Sequence, residues 1–420
     1  MKKGYLSEYF TSFAYKRLSR VESRPEVSNQ HELNGVNELR ELFGSNKKEN
    51  IPAEFIYLSD KEDTNTETTL GRFTWYDARE NHPTRSEWRL YYSSNDITKK
   101  FQENMFLIIA KRSDQDNTQL IIVEPESTSE RQLMWLFGIS EVENNKSFNS
   151  SIISEYSDND IKLNYSVKNL LRSLNIEVEE ENTQLLDVML RRFNGVFPST
   201  DKFSKFAREN SPIISPIESP DEAVMEWMNQ EEVLYTTYEK HFISIRLKEG
   251  FDLEKDGVSD FLSFGLTVQN RRKSRAGFAL ENHLAQILLD NKLQFSTGSN
   301  ARTENNSKPD FLFPSGKKYH NESFPSDLLT MLGSKTTCKD RWRQVLAEAQ
   351  RIDEKHLFTL ETSISTNQTN EMKSNNLQLV VPSPLHNTYS IDQQSWLLSL
   401  KSFIILVKEK QERKLIDAFR

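Results

Sequence analysis

The sequence contains a single cysteine, Cys338, among its 420 residues. The chain therefore cannot form an intramolecular disulfide, which suits a reducing compartment, and we expect a cytoplasmic protein. The seven histidines and the one cysteine have no spacing typical of zinc ligands, so the sequence predicts no zinc site. No apolar run is long enough to cross a membrane, and none follows Lys2 and Lys3 as in a signal peptide, so no membrane partner is expected.

The sequence also lacks a glycine-rich phosphate loop and an internal repeat. Its formal net charge of −8 argues against a protein that coats nucleic acid with its whole surface. A focused basic cleft remains compatible with that charge, because local clusters of arginine and lysine set the field at a groove. The length is sufficient for two domains with full cores.

Two regions of the chain differ in the secondary structure that their residue patterns predict. Short β-rich runs at regular spacing predict a barrel or sandwich in the N-terminal part, 1–150. These runs are Glu54–Leu58, Gly71–Tyr76, Trp88–Tyr92, Met105–Ile109 and Gln119–Val123. A polar, acidic stretch follows, and we predict a linker region with some helix over 151–195. From 196 to 420 the pattern becomes helical and then mixed, which predicts an α/β domain.

The most informative segment runs from Lys308 to Glu348. Asp310 follows Pro309 and precedes an apolar run, Phe311–Phe313, that resembles a short buried strand. Further on come Lys335 and then Glu348, which we place on a predicted helix at the margin of an apolar stripe. That stripe consists of Val345, Leu346, Ala349 and Ile352.

Two acids and a lysine at one sheet edge suit Mg²⁺-dependent cleavage of a phosphodiester, since Mg²⁺ prefers oxygen ligands. The lysine would hold the attacking water or stabilise charge on the phosphate. The same spacing also arises by chance, because aspartate after proline is common in loops.

A second predicted helix carries Glu281 inside an apolar stripe made of Phe278, Leu284, Ala285 and Leu288. An acid on an apolar face is unfavourable unless it is paired, so Glu281 is either a supporting acid of the site or a structural ion-pair partner. A basic run precedes it, made of Arg271, Arg272, Lys273 and Arg275. Such a run is either a solvated face or a set of DNA phosphate contacts.

Ordered stretches of this sequence resemble the catalytic domain of the EcoRII family of type II restriction endonucleases. They are Asn270–Gly277, Lys308–Ser315, Lys335–Gln344, His356–Leu360 and Val380–His386. The resemblance implies an α/β core with a central mixed sheet and flanking helices. It also implies a variant PD-(D/E)XK motif in which the second acid has moved from a strand to the following helix. Ser334 stands in the usual place of that acid, and Glu348 would be the migrated one.

By this resemblance, Asp310, Lys335 and Glu348 form the catalytic core, Asp310 and Glu348 hold Mg²⁺, and Glu281 supports them. Tyr319 lies in a similar stretch with no assigned role. The resemblance also implies that DNA bases are read by Lys339, Asp340 and Arg341. Arginine can donate two bonds to guanine and aspartate can accept from cytosine, so these residue types suit a C·G pair.

The family recognises CC(A/T)GG and flips the central bases out of the stack. The resemblance therefore implies a homodimer whose twofold axis matches a near-palindromic DNA site. A cognate cytosine methyltransferase is expected in the same system, without direct contact.

The N-terminal half resembles the family's effector domain, a DNA-binding pseudobarrel. The matching fragments are Tyr15–Ser19, Gln30–Glu32 and Thr84–Arg89, and Pro25–Asn29 replaces a glycine-rich arm of the family. The resemblance implies that this domain covers the catalytic cleft until it binds a second DNA copy. The residues expected to contact that DNA are Arg85, Glu87 and Arg89.

Arginines and aromatic residues alternate in this part of the chain: Arg72, Trp75, Tyr76, Arg79, Arg85, Trp88 and Arg89. Taken alone, that alternation is equally typical of a half-buried strand pair. A rival to the nuclease is a non-cutting DNA-binding regulator with a decayed nuclease domain. The intact Asp310, Lys335 and Glu348 favour the nuclease.

Overall fold

The computed structural model describes residues 3–23, 31–61, 66–113, 117–140, 147–154, 160–178, 182–252 and 256–417. The chain divides into two compact units, which are Met1–Glu177 with Ser363–Asn367, and Val178–Thr362 with Gln368–Arg420. Within the described ranges, no helix has the length and apolar character needed to cross a membrane. The domain limits drawn from the sequence stay a prediction, and the region predicted as a linker contains a strand and two helices.

The first unit contains eight strands and three α-helices among its described residues. The strands are β1 Phe10–Arg17, β2 Glu32–Gly35, β3 Lys48–Leu58, β4 Glu67–Asp77, β5 Trp88–Tyr92, β6 Phe106–Arg112, β7 Thr118–Val123 and β8 Asn149–Ile152. The helices are α1 Asn37–Phe43, α2 Thr128–Leu136 and α3 Tyr165–Ser173. The predicted strands correspond to β3 through β7, so the mainly β character of this half is confirmed.

These strands form one sheet in the order β2-β5-β4-β3-β7-β6-β1-β8. Alternate residues of different strands, including Phe55, Phe73, Leu90, Leu107 and Leu120, belong to a single buried core cluster. Because successive side chains of a strand point to opposite faces, one cluster fed by so many strands requires a curled sheet. The more specific prediction of a pseudobarrel stays a prediction.

The second unit contains four strands and nine α-helices in its described part. The strands are β9 Phe311–Phe313, β10 Thr330–Lys335, β11 Lys355–Thr359 and β12 Leu377–Val380. The longer helices are α4 Thr183–Arg192, α5 Thr200–Glu209, α6 Pro220–Glu249, α7 Gly257–Asp290, α10 Thr366–Ser374 and α12 Leu400–Asp417. The short ones are α8 Gly316–Tyr319, α9 Trp342–Leu346 and α11 Ile391–Gln394.

The sheet of the second unit has the order β12-β11-β10-β9. β10, β11 and β12 are parallel, whereas β9 runs antiparallel to β10. Every residue of β9 and β11 is buried, as is usual for strands covered on both faces. The α/β class with a mixed sheet and flanking helices is therefore confirmed.

Helix α4 packs within the second unit although it precedes residue 196. Met189 and Phe193 belong to a buried cluster with Phe203 of α5 and Tyr238 of α6. The Asn182 amide donates to Thr237 Oγ1 at 3.0 Å, and the Asn182 side chain caps the first turn of α4. A fragment of this unit should therefore begin at Asn182, because a later start would expose the apolar face that α4 covers.

His356 of β11 is a buried histidine with an acid-sensitive consequence. It is 1% exposed, its ring lies 5.1 Å from the Phe403 ring, and neither ring nitrogen has a hydrogen-bonding partner among the described residues. Burial, helped by the positive charge of Lys410, lowers the pKa of His356 to about 3. An unfolded histidine takes up its proton near pH ~6.5. The contribution of neutral His356 to the free energy of unfolding is therefore complete above pH ~6.5. It declines as the pH falls from there towards 3.

We expect acid to destabilise the wild-type protein more than the His356→Leu variant. Between pH ~7.5 and ~5.5 the wild type should lose about 1.4 kcal/mol more of its unfolding free energy, from one pH unit of differential proton uptake. Urea unfolding of both proteins at the two pH values measures this difference. Equal losses in the two proteins would show that His356 is protonated normally in the folded state.

Candidate active site

Asp310 and Lys335 meet at the end of the β9–β10 pair. Asp310 directly precedes β9, and the register aligns Phe311 with Leu332 of β10. The Ser334 amide donates to Asp310 Oδ2 at 2.6 Å, and Lys335 Nζ lies 3.7 Å from the same oxygen. The sheet thus brings together an acid and a lysine that are well separated in the sequence.

Two further carboxyls belong to this cluster. Burial, and after it the negative charge of Asp310, raise the pKa of Glu281 and of Glu348 to about 7, and the positive charge of Lys335 opposes the shift. Three acids and one lysine therefore interact electrostatically in a half-buried place, and the catalytic roles predicted for them stay predictions.

The helical prediction for Glu348 is wrong. Helix α9 ends at Leu346, and Glu348 lies in a turn in which its amide donates to Val345 O at 3.2 Å. The next residue, Ala349, has φ +48°, a left-handed conformation that stops a right-handed helix. Val345, Ala349 and Ile352 are nevertheless buried, so the apolar pattern correctly predicted burial.

The helical prediction for Glu281 is confirmed, since it lies on α7. Leu284 and Leu288 are fully buried on that helix, but Phe278 is 52% exposed and does not belong to the buried stripe. The buried face includes Ala279 and Leu280 instead.

The donor set fits Mg²⁺. Within the described residues, no three acidic, histidine or cysteine side chains are close enough to hold a metal ion by themselves. Mg²⁺ commonly uses only one or two carboxylates and completes its octahedron with water and phosphate oxygens. Asp310 with Glu348 supplies such carboxylates. Burial is the main cause of the raised pKa values of Glu281 and Glu348, and a divalent cation bound beside them would favour their ionised forms.

The predicted base-reading residues lie on a short 3₁₀ helix, Lys339–Arg341, between β10 and α9. Arg341 is exposed, whereas the Asp340 side chain lies outside the described residues. The Glu361 carboxylate, 5% exposed, accepts hydrogen bonds from the amides of Cys338 and Lys339 and so fixes the start of this loop. Sequence reasoning missed Glu361, because its partners are backbone amides that any residue type carries.

The basic run lies inside α7, the same helix that carries Glu281, and not ahead of it. Its four members differ in how accessible they are to DNA phosphate. Arg275 is 7% exposed, pairs with Glu231 and Glu232 of α6, and stacks 4.0 Å from the Tyr235 ring. It therefore serves the α6–α7 contact, and DNA phosphate would have to compete with these acids for Arg275, whose predicted phosphate contact stays a prediction. Arg272 pairs with Glu239 at 2.6 Å.

Arg271 and Lys273 are the other two members of the basic run. Arg271 lies 4.4 Å from the Phe197 ring and is half-buried, while Lys273 is exposed. The predicted phosphate contacts of Arg271, Arg272 and Lys273 stay predictions.

In the first unit, the alternating arginines and aromatics form a half-buried strand pair. Trp75 is fully buried and stacks on Trp88 at 5.0 Å between ring centres. Arg89 contacts Glu32 at 2.5 Å and Glu87 at 2.6 Å.

The Glu87 carboxylate also accepts a hydrogen bond from Arg79 at 2.5 Å. Arg85 is exposed. DNA would have to compete with these acids for Arg79 and Arg89. The segment Pro25–Asn29 and Gln30 lie outside the described residues.

A mixed α/β domain with an acid–lysine cluster at the end of paired strands is typical of the nuclease domains of restriction endonucleases. Residues 235–404 match the family model described as EcoRII C terminal. The chain is also 40% identical over 209 residues to the type II restriction enzyme EcoRII of Escherichia coli. That match covers 50% of each chain, so the chain spans about half the length of the curated relative.

Two solved structures are similar at lower identity. A metal-depleted Ecl18kI in complex with uncleaved DNA has 17% identity and a TM-score of 0.45, covering 55% of this chain and 84% of that one. A complex of the restriction endonuclease PspGI with substrate DNA has 14% identity and a TM-score of 0.40, covering 56% and 93%.

Proposed function

We propose that this protein is a type II site-specific deoxyribonuclease that cuts both strands of a short DNA site with the help of Mg²⁺. One observation carries the proposal. Asp310 and Lys335 lie 3.7 Å apart at the end of paired strands, and Glu281 and Glu348 lie within the electrostatic reach of Asp310. The family match over 235–404 supports it.

In the proposed mechanism, Asp310 and Glu348 hold Mg²⁺, which when bound supplies a Lewis acid and lowers the pKa of a coordinated water. The Ser334 amide fixes the Asp310 carboxylate by its 2.6 Å bond. Lys335 orients the attacking water or stabilises the charge that develops on the phosphate. Glu281 adds negative charge beside the metal ligands.

We propose the mode of DNA recognition from the resemblance to the EcoRII family. Lys339, Asp340 and Arg341 would read C·G pairs of a CC(A/T)GG-like site in the major groove. A homodimer would place one such loop on each half of the near-palindrome, and the central bases would be flipped out. The cytoplasmic location and the cognate methyltransferase stay predictions.

A nicking assay on supercoiled plasmid carrying CC(A/T)GG sites tests the activity. We expect linear product with Mg²⁺ and intact plasmid with a chelator, and sequencing of the ends would locate the cut. Specific binding of the plasmid site without cleavage in any divalent metal would instead identify a non-cutting regulator.

We further propose that a second DNA copy bound by the N-terminal unit activates cleavage, through Arg85, Glu87 and Arg89. A fragment starting at Asn182 should cut one-site DNA faster than the full chain, by ~5-fold or more, as expected for an allosteric coupling. The full chain should cut two-site plasmids faster than one-site plasmids.

Parallel time courses on plasmids with one and two sites measure both effects. The start at Asn182 keeps α4, so a slow fragment cannot be ascribed to the loss of that helix. If the fragment were slower on one-site DNA and site number had no effect, the N-terminal unit would only add affinity.

A further inference from the structure

The turn that follows Glu348 is held by an unusual set of bonds. Each of the next three backbone amides donates to a side-chain oxygen from another part of the chain. Ala349 N donates to Thr303 Oγ1 at 3.4 Å, and Gln350 N donates to the Glu304 carboxylate at 3.3 Å. Arg351 N donates to the Tyr319 hydroxyl at 3.3 Å. We call Thr303, Glu304 and Tyr319 the clasp.

The members of the clasp are also joined to each other. The Tyr319 hydroxyl lies 2.8 and 2.6 Å from the two carboxylate oxygens of Glu304, and Tyr319 is fully buried. Burial alone would raise the pKa of Glu304, but the bonds from Tyr319 and from backbone amides outweigh it and lower that pKa. Burial raises the pKa of Tyr319 to about 12. A charged carboxylate thus accepts from a neutral phenol, which makes this a charge-assisted bond.

The far end of the turn is tied down as well. The Arg351 guanidinium donates to three carbonyl oxygens, that of Tyr319 at the end of α8 and those of Asn321 (3.1 Å) and Phe324 (2.8 Å) after it. The clasp segments themselves approach closely, since a Cβ at Gly316 would overlap the Asn300 carbonyl oxygen. The turn from Glu348 to Arg351 is therefore fastened to two neighbouring segments.

We propose that Thr303, Glu304 and Tyr319 are positioning residues that hold the turn in the place where Glu348 meets Asp310. The inference rests on the proposed function, because it assigns these residues to the metal site of that reaction. Helix α9 ends before Glu348, so the clasp supplies the constraint that a helix would otherwise give. The Tyr319 hydroxyl donates to Glu304 and accepts from Arg351 N, and both bonds serve to position the turn.

Partners that orient metal ligands typically change metal affinity or activity 10–100-fold when they are removed. We therefore expect Tyr319→Phe and Glu304→Gln to raise the Mg²⁺ concentration that gives half-maximal cleavage by ~10-fold or more. The rate at saturating Mg²⁺ should stay close to that of the wild type. Excess Mg²⁺ should not rescue Glu348→Ala.

Tyr235→Phe is the matched control, because Tyr235 also bonds a carboxylate, that of Glu239 at 3.0 Å, in the α6 helix. Two readouts do not depend on turnover. Hydrogen–deuterium exchange over 347–353 should become faster in the two clasp variants and stay unchanged in Tyr235→Phe. Binding of Mn²⁺ alone, followed by electron paramagnetic resonance without DNA, should weaken by the same ~10-fold in the clasp variants.

Several results would overturn the inference: unchanged exchange over 347–353, an unchanged Mg²⁺ midpoint, or a wild type that binds no Mn²⁺. Cleavage lost at every Mg²⁺ concentration with Mn²⁺ binding intact would give Tyr319 a chemical role and also overturn it. Failure of the proposed function looks different. In that case the wild type would cut no DNA, while the clasp variants would still bind Mn²⁺ more weakly than the wild type does.

Discussion

Asp310→Ala and Lys335→Ala should each slow DNA cleavage by roughly 10²–10³-fold or more and leave specific DNA binding largely intact. Asp310 is proposed to hold the metal and Lys335 to serve the reacting phosphate, whereas specificity comes from contacts with base edges. The two side chains share one place, with Lys335 Nζ 3.7 Å from Asp310 Oδ2. Either truncation should therefore disable the same step. Glu348→Ala should behave similarly.

Single-turnover cleavage in Mg²⁺ measures the rates, and gel shifts in Ca²⁺ measure binding without turnover. Asp392→Ala is a suitable control, because Asp392 is an exposed acid of the same unit, on α11. The assignment would fail if both Asp310→Ala and Lys335→Ala retained more than about a tenth of the wild-type rate. Loss of binding in parallel with cleavage would indicate misfolding, which thermal melting would detect.

The second large effect concerns recognition. Arg341→Ala should weaken binding to the cognate site by about 1–3 kcal/mol and barely change binding to other DNA. Arg341 is exposed at the end of the 3₁₀ helix whose start Glu361 holds through two backbone amides. Among the described side chains none forms an ion pair with Arg341, so this exposed guanidinium is available to donate two bonds to a guanine.

Affinities for a cognate and a scrambled duplex at one fixed salt concentration test this expectation, because phosphate contacts depend strongly on salt. Arg343→Ala is the matched control. Arg343 already pairs with Glu371 at 2.6 Å and lies 4.4 Å from the Trp342 ring. Equal losses on both duplexes would make Arg341 a phosphate contact and leave base reading to other residues.

The parts predicted well from the sequence are those governed by local pattern. The β-rich runs of the N-terminal half are strands because alternating apolar residues fill a core that many strands share, as Phe55, Phe73 and Leu90 do. Asp310 and its short apolar run also lie as predicted, since proline before an acid and three bulky residues favour an extended segment.

The parts missed depend on partners distant in sequence. Arg275 belongs to a basic run, yet Glu231 and Glu232, from another helix, bury it. Glu348 follows a helical pattern of apolar residues, but the helix ends at Leu346, Ala349 has a left-handed conformation, and tertiary bonds hold the turn. Apolar periodicity reports which residues are buried and does not distinguish a helix from a succession of turns that bury the same positions.

The clasp has a consequence for how this site can change during evolution. The clasp residues accept hydrogen bonds from peptide N–H groups, and every residue except proline carries such a group. Gln350 is exposed, so most other residue types can replace it while the backbone amide at this position still donates to Glu304. The stretch next to Glu348 is thus open to sequence variation on its outer surface. Conservation of the geometry of the turn depends instead on three residues that lie far away in the chain.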